Sequence, residues 1–320
     1  MRAADPKWTN RRRVVEPLPC YTGAMRRLVI NADDFGLTLG VNLAIAEAHE
    51  HGVVTSATLM ANSAQFDEAV RLAASSPNLS VGCHVVLVDG VPVLAPERVA
   101  TLIGEDGKGF RHSWTGFARA AAGNRLGADE IEAEATAQIR KLQAAGVAVS
   151  HVDTHKHVHM LPQVLQPLLR AAKACGVCRI RNPFEPVRAA QLGRWPHLWK
   201  RWISTGMLYR YAASFLRTIK SEGMFAPDGC LGIVATGVMD GPMLAWTLQH
   251  VPQGTWELVC HPGYVDGQLR EVRTRLRESR AVELRLLTST ATRELLAGEK
   301  IELLSYGAVD GRGGIGLRGW

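Results

Sequence analysis

The sequence predicts an α/β fold: one domain built as a distorted (β/α) barrel. Short β-branched runs alternate with amphipathic helical runs, which implies parallel strands joined by helical crossovers. About eight such units in one chain favour a closed barrel over an open sheet. Polar clusters fall at or just after the C-terminal ends of several predicted strands, the face on which such barrels place their sites.

The elements follow in order. Leu28–Ile30 is a short apolar strand, and Leu43–His51 reads as a helix stopped by Gly52. Val53–Met60 and Leu79–Leu87 are strand candidates on either side of a helix over Phe66–Ala74. Asp129–Ala145 carries apolar residues at helical spacing and ends at Gly146. Strand Val147–Val152, helix Val164–Cys175 and strand Val177–Ile180 follow, then strands at Leu231–Ala235, Leu258–Cys260 and Ile301–Leu304. A long helical run from Val272 to Leu296 precedes the last strand, and no internal repeat is visible.

Composition bounds the function. Of 320 residues, 47% are hydrophobic and 21% charged, an ordinary globular balance. The net charge of +7 and pI of about 9.3 come largely from local groups near the start and between Arg188 and Lys220. No nucleic-acid-binding motif accompanies that charge, so nucleic acid is not an expected partner. Cysteines at 20, 83, 175, 178, 230 and 260 are too scattered for a disulfide scaffold. Cys175-Gly-Val-Cys178 is an isolated pair, short of the four ligands a structural zinc wants, and reads as buried thiols near a helix end. There is no transmembrane-length apolar run and no secretory signal, so the expected compartment is the cytoplasm. Residues 1–24 read as a loosely ordered arm, 25–310 as the barrel and 311–320 as a flexible Gly-rich tail; Met25 looks like a natural start.

The clusters at strand ends carry the chemistry. Asn31-Ala32-Asp33-Asp34-Phe35-Gly36 follows the first strand and Gly82-Cys83-His84 lies in the third. The run His151-Val152-Asp153-Thr154-His155-Lys156-His157-Val158-His159 closes the fifth region, and His261-Pro262-Gly263 follows Leu258–Cys260. One carboxylate with two imidazoles suits zinc and some other divalent ions. A second carboxylate can take a proton from water, and a separate His can protonate a leaving amine. Asp33 beside Asp34 supports that split, because neighbouring side chains point in different directions. Asp153, His155, His157 and His159 share one parity and would line one face of an extended chain; His155, nearest the strand end, is the preferred ligand. Taken singly, His84 fits a core polar residue, Asp-Asp a cap and the His run a surface tract. Their joint occurrence at strand ends argues for a metal site. Cys83 and Cys260 are expected to stay outside it.

With these motifs the chain resembles the YdjC-type carbohydrate deacetylases, a family with chitooligosaccharide (ChbG) and hopanoid-associated (HpnK) branches. The resemblance rests on Asn31–Gly36, Val53–Thr58, Gly82–Leu87, His151–His159 and Cys260–Gly263, and spans roughly residues 26 to 306. It implies a distorted (β/α) barrel, one divalent ion (magnesium or zinc) and hydrolysis of an acetamide on an amino sugar. It implies Asp34, His84 and His155 as metal ligands, Asp33 as general base and His261 as general acid. Arg181 and Glu185, in Arg181–Pro186, resemble a site-lining segment and are expected to bind substrate, with His157. Cys83 stands where the family commonly has Leu or Met. Leu87–Leu94 and the stretch after Pro186 look more like the hopanoid-associated branch, which points to a glycolipid as well as an oligosaccharide substrate.

The stretch from Arg194 to Arg217 mixes Trp, Tyr and Leu with Arg and Lys. It reads either as a packed helix with a basic face or as an interfacial helix in peripheral contact with a membrane, with Trp199 and Trp202 as its aromatic anchors. A homodimer is compatible with the sequence. Two other functions compete with deacetylation: hydrolysis of another amide or ester, and a catalytically silent glycan- or lipid-binding barrel. Asp33 beside Asp34 argues against the silent barrel, since a binder needs no spare carboxylate.

Overall fold

The computed structural model describes residues 25–186 and 189–309. The expected arm at 1–24 and tail at 311–320 lie outside the described residues. Strand β1 (Arg26–Phe35) is buried over its last eight residues, as expected of a strand central to a parallel sheet. Helix α1 (Leu39–Glu50) starts earlier than its apolar pattern suggests, because the Thr38 hydroxyl accepts from the Val41 amide at 3.2 Å and caps it. Then come β2 (Ser56–Leu59), α2 (Phe66–Ser75), β3 (Ser80–Val85), α3 (Trp114–Ala122), α4 (Ala128–Ala144) and β4 (Val152–Thr154). Helix α5 (Pro162–Ala174) leads to a helical insertion of α6 (Ala189–Arg194), α7 (Trp199–Tyr209) and α8 (Ala212–Ser221). The chain closes with β5 (Gly229–Leu231), α9 (Gly241–Gln249), β6 (Gly254–Cys260), α10 (Gly267–Glu271), α11 (Glu278–Thr288), α12 (Thr290–Gly298) and β7 (Ile301–Leu304).

Among the described residues, seven strands form one parallel sheet in the order β4-β3-β2-β1-β6-β5, with β7 against the first half of β1. The two ends of this curled sheet are joined by irregular chain. The Val152 amide donates to Arg179 O (3.0 Å), the Ile180 amide to Phe225 O (2.9 Å) and the Cys230 amide to Phe184 O (3.1 Å). The expected strand Val177–Ile180 is thus present only as isolated bridges. The expected strand Val147–Val152 begins at Val152, since Gly146 turns the chain with φ +87° and residues 147–151 run as a loop. The expected strand Leu231–Ala235 stops at Leu231, where Gly232 takes φ +90°, a left-handed turn that favours glycine. The run Val272–Leu296 is not one helix. Ser289 takes an extended conformation and caps α12 by accepting from the Thr292 amide at 3.2 Å. The core lies between the sheet and the surrounding helices, and the strand C-termini open on one rim.

Candidate metal centre

Strand β1 delivers two consecutive carboxylates to that rim. Alternation should send Asp33 and Asp34 to opposite faces, but the β1/β2 register shifts between Ala32 and Phe35, and Asp34 sits at φ +67°. Such a conformation costs a non-glycine residue of order 1 kcal/mol or more and persists only where its surroundings enforce it. The result is two buried carboxylates serving neighbouring parts of one cleft, 2% and 4% exposed.

Strand β3 presents His84, whose Cα partner across the ladder is Asp153 of β4. The imidazole Nδ1 meets Asp153 Oδ1 at 2.7 Å and lies 3.2 Å from Thr58 Oγ1. With Nδ1 so engaged, Nε2 is turned to the cleft. There it stands 3.6 Å from Asp34 Oδ1 and 3.4 Å from His155 Nδ1, and His155 Nδ1 is itself 3.4 Å from Asp34 Oδ1. Three donors bound to one tetrahedral ion at about 2.1 Å would lie about 3.4 Å apart. The triangle therefore fits a small divalent cation. A second cluster of Asp33, His84 and Asp153 is close enough to be compared with it. Its carboxylates are instead engaged by the Arg181 guanidinium and the Thr58 hydroxyl.

The electrostatics agree with this division. Burial works most strongly against a charge on Asp34, but Arg280, His155 and His261 together outweigh it and hold the carboxyl well below its usual range; Arg280 Nη2 donates to Asp34 Oδ2 at 2.5 Å. Burial likewise opposes a charge on Asp33, and Arg181, with His84 and His261, prevails over it: Arg181 Nη1 donates to Oδ2 at 2.8 Å and Nη2 to Oδ1 at 2.6 Å. Arg181 also binds Asp153 Oδ2 at 2.5 Å and Glu257 Oε1 at 2.6 Å, and is completely buried. Glu257 is in turn met by the Tyr306 hydroxyl and, at 3.4 Å, by the Cys230 thiol. Asn31 Nδ2 adds a donor to Asp33 Oδ1 at 3.0 Å.

His261 directly follows β6, with Nε2 3.9 Å from Asp33 Oδ2. Its amide donates to Glu283 Oε2 at 2.6 Å, which fixes the backbone. Its Nδ1 is buried without a partner among the described residues, and burial drops the imidazole to about 4, against the pull of Asp33 and Asp34. Arg280 and Glu283 both stand on α11, and Gly263 packs against Arg280 so closely that a Cβ there would lie 2.9 Å from Cδ. One helical turn thus supports Asp34 and the His261 backbone together.

The histidine run departs from the extended face expected of it. After Thr154 the chain enters a tight turn in which Lys156 and His157 take φ 57° and 55°, and Lys156 Nζ pairs with Asp89 Oδ2 at 2.5 Å. His155 alone of the three later histidines reaches the donor triangle. His159 is buried against Thr154 Oγ1 (2.6 Å) and the Arg181 carbonyl (3.3 Å). His157 is only half-buried, its ring 6.4 Å from that of His159, and desolvation around its buried Nδ1 holds the imidazole well below its usual pKa. Glu185 accepts from the Gly232 and Val234 amides at 3.2 and 2.8 Å, and burial lifts its carboxyl to about 7. Arg181 and Glu185, expected to touch substrate, are thus engaged with protein groups. Cys83 and Cys260 are buried thiols outside the donor triangle, and burial pushes both up.

Fold and site together define a single (β/α) barrel with a candidate cation site of two imidazoles and a carboxylate at its C-terminal rim. The chain belongs to the family of YdjC-like proteins, whose model matches residues 27–298. It is 31% identical over 281 residues to a carbohydrate deacetylase of Listeria monocytogenes serotype 4a (strain HCC23), covering 88% of this chain and 98% of that one. It is 32% identical over 284 residues to a carbohydrate deacetylase of Brevibacillus brevis, at 88% and 98% coverage. A crystal structure from Enterococcus faecalis V583, described in connection with cellobiose-phosphate cleavage, superposes with a TM-score of 0.70 at 28% identity, covering 88% of this chain and 98% of that one.

Proposed function

We propose that this chain is a carbohydrate N-deacetylase that hydrolyses the acetamide of an N-acetylated amino sugar to a free amine and acetate. The observation that carries this reading is the convergence of Asp34 Oδ1, His84 Nε2 and His155 Nδ1 within 3.4 to 3.6 Å of one another, with Asp33 and His261 alongside. A divalent ion, zinc or magnesium, held by those three residues would polarise the amide carbonyl and acidify a water. Asp33 is placed to take the proton from that water. Arg181 keeps Asp33 ionised and oriented, at the cost of its basicity, so it can serve only with an acidified water. His261 gives a proton to the departing nitrogen. Because His261 is neutral before reaction, it must first acquire that proton, and the 3.9 Å from Asp33 Oδ2 to His261 Nε2 is a short path for it. Water adds to the carbonyl carbon, the C–N bond breaks, and the nitrogen leaves as an amine.

For the sugar's carrier, we infer a lipid-borne amino sugar, of which a hopanoid-linked sugar is one example, ahead of a free oligosaccharide. The support is the apolar and cationic rim formed by α7. Acetate release from N-acetylglucosamine oligosaccharides and glycolipids, measured against matched O-acetyl esters, tests the reaction. Turnover of the esters alone would replace deacetylation by ester hydrolysis.

A further inference from the structure

Helix α7 carries an apolar stripe that nothing among the described residues covers. Trp199, Ile203 and Met207 recur every fourth residue, so they stack on one face, and they are 52%, 53% and 60% exposed. They are among the most exposed large apolar side chains of the described residues. The rest of the helix is held through one buried side chain and several half-buried ones, Arg201, Thr205, Leu208 and Tyr209 among them. Trp202, expected with Trp199 to be an interfacial anchor, is 4% exposed and belongs to the core. The stripe is therefore the outer surface of an ordered, anchored helix rather than a frayed end.

The helix sits on the rim that bears the cation site. Arg201 Nη1 donates to the Val234 and Thr236 carbonyls at 2.9 and 2.8 Å, in the turn that follows the C-terminal end of β5. The Phe184 and Tyr209 rings meet at 6.3 Å, which ties the end of α7 to the chain just beyond Arg181.

Charge identifies the occupant. No Asp or Glu occurs between Glu185 and Glu222. Exposed Arg194, Lys200, Arg210 and Arg217 lie along the same stretch, while Arg201 is occupied by the carbonyls. Glu222, the acid that ends the stretch, is paired with Lys173 at 2.9 Å. A second copy of this chain is a poor partner, since a two-fold contact would set these cations against themselves. An anionic bilayer matches both features: aromatic and aliphatic side chains enter the headgroup boundary, and the flanking cations meet lipid phosphates.

We propose that the stripe Trp199–Ile203–Met207, with Lys200 and Arg210 beside it, docks the barrel rim on an anionic lipid surface so that the cation site faces the membrane. This deepens the proposed function and rests on it only for the consequence that the substrate's acyl-bearing sugar is presented from a bilayer; docking itself stands apart from catalysis.

The test is sedimentation of the full-length protein with vesicles of phosphatidylcholine alone or mixed with phosphatidylglycerol. Wild-type protein should bind the mixed vesicles, lose binding as salt rises, and ignore the neutral ones. The double variant Ile203→Glu, Met207→Glu should bind about tenfold more weakly or less, since two apolar contacts are lost and two repelling charges gained. It should keep its melting temperature and its turnover of a soluble N-acetylated oligosaccharide, because both positions are outside the site. Binding equal in wild type and variant, or no binding to either vesicle, would overturn the proposal. So would a wild-type dimer that the variant dissolves, which would make a second copy the occupant. Vesicle binding without acetate release from any N-acetylated sugar, soluble or lipid-borne, would instead leave docking standing and remove the deacetylase reading.

Discussion

His84 and Asp153 are direct partners across the β3/β4 ladder, and their buried side chains meet at 2.7 Å. Asp153 is therefore the group that turns His84 Nε2 toward Asp34 and His155. Asp153→Asn should keep the fold and lower divalent-metal affinity by about 10–100-fold, the usual cost of losing a carboxylate behind a ligating histidine. Titration calorimetry with zinc checks this, and unchanged affinity would show that the ladder, not Asp153, orients the ring.

Asp33→Asn should retain the metal and lose about 10²–10⁴-fold in turnover, the range for removing a general base. His261→Ala should behave alike, with normal metal content. Near-wild-type turnover in either variant would defeat that role.

Arg181→Met removes the one guanidinium shared by Asp33, Asp153 and Glu257. Buried carboxylates left without their partner typically cost about 3–5 kcal/mol. Chemical denaturation should show a loss of that order together with weakened metal binding. A variant with wild-type stability would mean that the carboxylates are otherwise neutralised.

Burial drops His159 to about 3 in the folded chain, against an ordinary value of 6.5. The unfolded chain therefore binds this proton first as pH falls. The stabilising contribution is complete above 6.5 and is lost progressively as pH drops toward 3, with a slope of up to about 1.4 kcal/mol per pH unit from this one group. His159→Gln should flatten the stability profile between these limits in metal-free protein. An equally steep profile in the variant would assign the acid sensitivity to other histidines.

Much of this was legible in the sequence. Strand–helix alternation indicates the parallel barrel, and the polar clusters at strand ends mark the rim on which Asp34, His84 and His155 meet. Period-2 reasoning failed where backbone dihedrals leave the extended region: at Asp34, which breaks the alternation of β1, and at Lys156 and His157, which fold the histidine run back on itself. No local pattern signals such left-handed residues when they are not glycine. Arg280 and Glu283 are likewise invisible in advance, being two charged residues in an ordinary helical run whose burial depends on where α11 docks. Asp153 could have been found, since it lies two residues before His155 in the same strand-end run. The burial of Arg181 could not, because it depends on three carboxylates brought together from β1, β4 and β6.

The most direct test of the metal centre is an anomalous-scattering experiment on crystals of the protein grown with zinc. One peak should appear within about 2.0–2.2 Å of Asp34 Oδ1, His84 Nε2 and His155 Nδ1, and it should vanish in His84→Ala. No peak within reach of these atoms, or a peak that survives His84→Ala, would contradict the assignment of this triangle as the cation site.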